Sequence, residues 1–247
     1  MKKIIIIGAG AMGSAFAVPC VENENDVTIV GTHLEDDLIK DIISNEYFHP
    51  GLKTKLPKKI KFVQFNKLQP ILEKDVDLIV AGISSIGIEW FAKQISKNYK
   101  KKLPIVLLTK GLSIVDNKLT TLSDKIKNIL EKNGHSEINI SAVKGPCLAA
   151  GLANKMRTGT VIANKDLKQC QSLKNMISTD YYSMEISEDV PGVELSGAIK
   201  NIYSMLIGAS EGLSNSKASK EIQSKYFLNT AASLIHRSIS EMVEFVS

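Results

Sequence analysis

The sequence predicts an α/β protein, a doubly wound Rossmann-type sheet followed by an all-α second domain, and three observations carry that prediction. Short β-branched runs alternate with helical periodicity along most of the chain. The first run leads at once into the glycine turn Gly8-Ala9-Gly10-Ala11-Met12-Gly13. After about Ser187 the strand patterns stop and only helical ones remain.

In chain order, Lys3–Ile7 is too apolar for an exposed strand and suits burial on both faces of a parallel sheet. Val27–Gly31, Leu78–Ala81, Ile105–Thr109 and Ile138–Val143 read as the next strands. Helical patterns lie between them at Met12–Glu22, Glu35–Ser44, Ile86–Ser96 and Lys118–Lys132. Thr160–Ala163 and Tyr181–Ile186 read as further strands around a helix at Leu167–Ile177. Two helices follow, Val193–Ala209 and Asn229–Val246, joined by the polar stretch SNSKASKEIQSK. The expected division is therefore residues 1–187 for the sheet domain and 188–247 for the helical one.

Composition narrows the function classes. In 247 residues, 44% are hydrophobic and 23% charged, as in ordinary globular proteins. The net charge of +5 is carried by lysine, with Arg157 and Arg237 the only arginines. Without arginine or a basic-aromatic stripe, nucleic acid is not the expected partner. The cysteines Cys20, Cys147 and Cys170 are scattered and odd in number, which fits reduced thiols and a cytoplasmic protein. No Cys/His spacing suggests a metal, and no segment reaches membrane-spanning length. The MKK start and the apolar run after it are read as a buried strand rather than a secretion signal, because patterned glycines interrupt the run.

The glycine turn is the first candidate site. Gly8 permits the tight turn, Gly10 lets a pyrophosphate approach the backbone, and Gly13 allows close helix–strand packing at a helix N-terminus. At the end of the second strand Thr32 and His33 stand where an acid usually reads the ribose, while Glu35, Asp36 and Asp37 come later. NAD and NADP both remain open, with the lean towards NADP. The acidic trio is also explained as the start of a helix. Lys110, Ser84 and Ser85 follow strand ends, where ligands bind in open parallel sheets. So does Lys144-Gly145-Pro146-Cys147, whose helix start could hold ligand oxygens.

Lys200 is the most telling residue. From Val193 to Ser210 only Glu194 and Lys200 are charged, and at six residues apart they do not pair along one helix face. A lysine in so apolar a helix needs a chemical reason to be there.

The segments GAGAMG, TKGL, KGPCLA, GVELSGAIKNIYS and LIHRSISEM, in this order, resemble NAD(P)-dependent glycerol-3-phosphate dehydrogenase, with the glycine turn and the GTHLEDD–YFHPGL region nearer its archaeal-type branch. The resemblance runs the length of the chain. It implies that Lys200 is the proton donor and acceptor opposite the hydride carrier, with Asn201 orienting substrate beside it. It also implies that Lys110 touches substrate and cofactor and lowers the pKa of Lys200. Gly145 and Cys147 would lie on the substrate side. Gly8, Gly10, Ala11, Met12, Gly13, Thr32, Ser84, Lys110 and Ala149 would contact the cofactor. The substrate would be small and phosphorylated, dihydroxyacetone phosphate or glycerol 3-phosphate.

Departures are visible at Met12, Cys147 and Gly151, where the family usually has an aromatic residue, serine and glutamate. The family also continues past LIHRSISEM into a Gly-Asp-Leu segment and an Arg-Asn pair that clamp substrate and cofactor. The expectation is thus a C-terminally truncated member whose turnover is in question. A ketopantoate-reductase-like enzyme and a non-catalytic NAD(P)-binding protein are the alternatives. A homodimer would cover the apolar face of the helical domain.

Overall fold

The computed structural model describes residues 1–100, 102–115, 117–214 and 223–246. The elements in order are β1 (Lys3–Ile7), α1 (Ala11–Glu22), β2 (Asp26–Val30), α2 (Asp36–Ser44), β3 (Phe48–His49), β4 (Thr54–Lys55), β5 (Lys61–Val63), α3 (Leu68–Leu72), β6 (Leu78–Ala81) and α4 (Ile88–Ile95). Then come β7 (Pro104–Leu107), β8 (Leu112–Val115), β9 (Lys118–Thr121), α5 (Leu122–Lys132), β10 (Asn139–Lys144), α6 (Ala149–Ala153), β11 (Thr158–Ala163), α7 (Leu167–Ile177) and β12 (Tyr182–Ser187). The helices α8 (Val190–Ser214) and α9 (Gln223–Val246) end the chain.

Among the described residues one eight-stranded sheet has the order β12-β11-β10-β7-β6-β1-β2-β5. From β5 to β10 the strands are parallel and follow the Rossmann order; β11 turns antiparallel to β10, and β12 pairs parallel with β11. Both faces of the sheet are buried, which is why its strands read as unbroken apolar runs. Ile4 and Ile6 enter one core with Phe16, Ile39, Leu173 and Tyr182. Ile5 and Ile7 enter the other with Phe91, Leu107 and Ile126.

The short elements β3, β4, α3 and β8 carry no pattern that marked them, and α6 is marked only as a helix start after Cys147. Two further segments differ from the sequence expectation. Lys61–Val63 is an edge strand beside β2 that the pattern did not mark. It has three residues and begins with a lysine, so it lacks the apolar run that marks the inner strands. Lys118–Thr121 is a strand paired with β8, not the first turn of a helix. The helix starts at Leu122 because Thr121 caps it, its hydroxyl oxygen accepting from the Asp124 N–H at 3.1 Å. The α8 helix extends past the expected Val193–Ala209 at both ends, and part of the polar stretch after it lies outside the described residues.

The switch point of the sheet lies between β1 and β6, and glycine makes it possible. Gly8 has φ +110°, and a Cβ on it would lie 2.5 Å from the Gly82 carbonyl oxygen. A Cβ on Gly13 would lie 2.5 Å from the Gly8 carbonyl oxygen. The α1 N-terminus is therefore held directly against the two strand ends. Gly8→Ala should cost about 2–5 kcal/mol in denaturant unfolding, from combined backbone strain and overlap. Gly134→Ala, also at positive φ but with nothing within 4 Å, should cost only about 1 kcal/mol.

Candidate active site

At the glycine turn, Gly10 is the extended residue that starts α1; no side chain caps that end and no acid lies in its first turn. The first N–H groups of the helix thus point out of the fold, a fitting cradle for a pyrophosphate. The turn itself is braced from below. The Ala9 carbonyl oxygen accepts from the Ser14 hydroxyl at 3.0 Å and faces the Nε2 of buried His49 at 2.9 Å. Because His49 Nδ1 accepts from the Leu52 N–H, its Nε2 carries the proton and donates.

Glu35 closes the other side of the turn. One carboxylate oxygen accepts from the Ala9 N–H at 3.0 Å and from the Thr32 N–H at 2.7 Å. So the acid that looked late in sequence reaches back from the start of α2 into the glycine turn. Beyond it, His33, Phe65 and Trp90 form an aromatic trio with centroids 5.2–6.2 Å apart. These residues fit a dinucleotide: an open helix end for its phosphates, and a carboxylate and rings beside the second strand for its nucleoside.

From α1 the cleft continues into a cavity of about 420 Å³ whose lining includes Met12, Ser84, Lys110, Lys144, Gly145 and Cys147. A second cavity of about 390 Å³ shares Lys144 and Gly145 and adds Gly197 and Lys200 from α8. Lys110 donates to the Gly145 carbonyl oxygen at 3.2 Å. The structure thus brings Lys110, Gly145, Cys147 and Lys200 around one β10 end, with Ser84 and Met12 facing them. Ala149 opens α6 behind Cys147. Asn201 is exposed on α8, and Lys200 is half-buried.

Among the described residues the charges with least exposure are Lys144, at the boundary of the two cavities, and Glu194 behind it. Lys144 is 3% exposed and Glu194 0%. Lys144 donates to the Leu107 carbonyl oxygen at 3.0 Å. Glu194 accepts from the Ser123 N–H at 3.4 Å and from the Ser123 hydroxyl. Desolvation pulls Lys144 down to about 8, with Glu194 acting against it and Lys110 adding to it. Desolvation raises Glu194, opposed by Lys144 and by the Ser123 hydrogen bonds. Lys110 is lowered by desolvation and then by the charge of Lys200. Burial raises the Cys147 thiol, which makes it a packing group rather than a nucleophile.

Sequence reasoning had not assigned roles to Glu194 or His49, had placed Lys144 only in a ligand-side turn, and had read Glu35 as a late acid or the start of a helix. Two of them carried a usable signal. A lysine ending the apolar strand ISAVK and an acid in an otherwise uncharged helix both call for a partner, by the argument applied to Lys200.

Residues 3–170 match the family described as NAD-dependent glycerol-3-phosphate dehydrogenase N-terminus, and residues 189–247 match its C-terminus. The chain is 31% identical over 243 residues to the NADP(+)-dependent glycerol-3-phosphate dehydrogenase of Archaeoglobus fulgidus, covering 98% of this chain and 69% of that protein. It is 32% identical over 202 residues to the glycerol-3-phosphate dehydrogenase [NAD(P)+] of Mesoplasma florum, covering 81% of this chain and 58% of that one. The fold is shared with the glycerol-3-phosphate dehydrogenase structure from Coxiella burnetii, with TM-score 0.78 at 23% identity over 99% of this chain and 68% of that one. That from Plasmodium falciparum gives TM-score 0.79 at 23% identity over 99% and 65%.

The buried lysine gives a pH signature. Its folded pKa of about 8 lies below its ordinary 10.5. Between those values the folded chain has shed the proton and the unfolded chain still holds it, so stability from this group rises with pH. Thermal unfolding from pH 8 to 10.5 should show that rise in the wild type. Lys144→Met should be flat over this range, because the group that titrates there is gone.

Proposed function

We propose a reaction for this chain from one premise: it belongs to the NAD-dependent glycerol-3-phosphate dehydrogenase family. The reaction is the interconversion of dihydroxyacetone phosphate and sn-glycerol 3-phosphate with NAD(P)H or NAD(P)+. The observation that carries it is the placing of Lys110 and Lys200 on either side of Gly145, on the walls of two cavities that share Lys144 and Gly145.

Bound dinucleotide supplies or accepts the hydride. Lys200 holds the proton that the ketone oxygen takes as it becomes a hydroxyl, and receives it back in oxidation. Before transfer its ammonium polarises the carbonyl, and Lys110 adds a second positive charge where negative charge develops. Gly145 and Cys147 line the substrate, with Asn201 orienting it from the position after Lys200. Gly8, Gly10, Ala11, Met12 and Gly13 hold the pyrophosphate side, Thr32 the ribose, and Ser84, Lys110 and Ala149 the nicotinamide side. NADP is the favoured cofactor. The Archaeoglobus relative is named as NADP-dependent.

The same reading keeps the division at residues 187 and 188, since β12 ends at Ser187 and α8 begins at Val190. It includes a cytoplasmic location, which three cysteines without disulfides support. No described helix is long and apolar enough to cross a membrane. Nucleic acid is not a partner on this reading. A homodimer is supported by the exposed Ile202, Met205, Leu206, Ile235 and Ile239 on α8 and α9. The matched family and its named relatives favour this reaction over a ketopantoate-reductase-like one.

The chain spans 69% and 58% of those two curated relatives, so turnover is the decisive measurement. Consumption of NADPH with dihydroxyacetone phosphate, and none with ketopantoate, is expected. Lys200→Met should lower kcat by about 100- to 10,000-fold with NADPH affinity unchanged. Full activity in that variant would remove Lys200 from the role.

A further inference from the structure

Two anchors fix α8 on the sheet domain, and both involve buried charge. The Glu194 carboxylate sits on Ser123, in the first turn of α5, where it meets a backbone N–H, a hydroxyl and the positive end of a helix dipole. One turn later, Gly197 lies on the stem of Lys144. A Cβ there would come within 3.1–3.2 Å of three Lys144 carbons. Lys144 is itself tied to the Leu107 carbonyl oxygen at the end of β7. The other charged groups facing this pair are Asp124 on α5 and Lys110 after β7.

Anchors three residues apart define the rotation of a helix about its own axis as well as its position. Lys200 comes three residues after Gly197, roughly 60° away around the helix. It faces the second cavity because Glu194 and Gly197 face the sheet domain. A lysine nitrogen lies about 8 Å from its helix axis, so a rotation of about 10° moves it by about 1.4 Å.

We propose that Lys144 and Glu194 are positioning residues that fix the rotation of α8 and so aim Lys200 at the Gly145 end of the cleft. The inference rests on the acid/base role proposed for Lys200. It also accounts for an arrangement that stability alone does not favour. Buried charges are costly to desolvate, and apolar groups of similar volume often replace a buried pair without loss.

The test uses the full chain with three changes: Lys144→Leu with Glu194→Leu, Lys144→Met with Glu194→Gln, and Ser123→Ala. The leucine pair keeps apolar packing against Gly197 and removes both charges with their hydrogen bonds to Leu107 and Ser123. Its melting temperature should match the wild type and its NADPH affinity should be unchanged, while kcat falls by about 100-fold. The Met/Gln pair keeps both shapes and the Ser123 hydrogen bonds and should retain kcat within about 3-fold. Ser123→Ala adds no bulk and should lower kcat by about 10-fold; it decides the matter if the leucine pair does not fold. Unchanged kcat in a folded leucine pair or in Ser123→Ala overturns the proposal, as does an equal loss in the Met/Gln pair.

A second readout needs no turnover. The charge of Lys200 helps to depress Lys110, so in a chain labelled with carbon-13 at lysine Cε, Lys110 should titrate at higher pH in the leucine pair and in Ser123→Ala. The Ser123→Ala chain decides this readout, because it leaves Lys144, whose charge also acts on Lys110, in place; an unmoved Lys110 there counts against the anchors. A wild type that binds NADPH and never reduces dihydroxyacetone phosphate overturns the assigned reaction. The Lys110 titration then judges the anchors by itself.

Discussion

The contact of Gly8, Gly13 and Gly82 is the constraint on which the rest of this structure depends. Three backbones meet there with no room for a Cβ, and the contact holds the N-terminus of α1 over the point where the sheet reverses its winding. The open N–H groups of α1, the brace from His49 and the reach of Glu35 into the turn are useful only in that place. Moved by one side-chain diameter, the helix end would no longer lead into the cavity formed by Met12, Lys110 and Cys147. The glycines thus convert a common fold into a directed cleft.

At the far end of that cleft the organising feature is charge under α8. Two lysines, Lys110 and Lys200, approach Gly145 from the sheet and from the helix, while a third, Lys144, is buried between them with Glu194 as its electrostatic counterpart. Their different exposures divide the labour. A half-buried amine on a cavity wall can exchange protons with a ligand, whereas one tied to a backbone carbonyl inside the fold is suited to holding structure. On the proposed reading, chemistry belongs to the first kind and orientation to the second.

Much of the fold was legible because the inner strands are buried on both faces and therefore read as plain apolar runs. The edge was not. Lys61–Val63 is short and carries a lysine, and the hairpin of β8 and β9 resembles the start of a helix until Thr121 is recognised as the cap that ends it. The candidate site was legible at Gly8–Gly13, Lys110, Gly145 and Lys200, where motif and strand end coincide. It was not legible at Glu35 or His49, whose hydrogen bonds cross 26 and 40 residues of chain and leave no local spacing to recognise.

By itself the sequence determined the Rossmann-type sheet, the dinucleotide turn and the family. All three follow from local patterns: apolar runs, glycine spacing and the GAIKN helix. The tertiary structure alone decided which charges are buried. Lys200 stood out in sequence as the lysine in an apolar helix, yet a long side chain at the rim of a cavity keeps its head accessible. Lys144 ends a strand and stood in sequence only as the start of a ligand-side turn, yet α8 lies across it. Burial depends on what packs over a residue from elsewhere in the chain, and for Lys144 that covering helix begins 46 residues later.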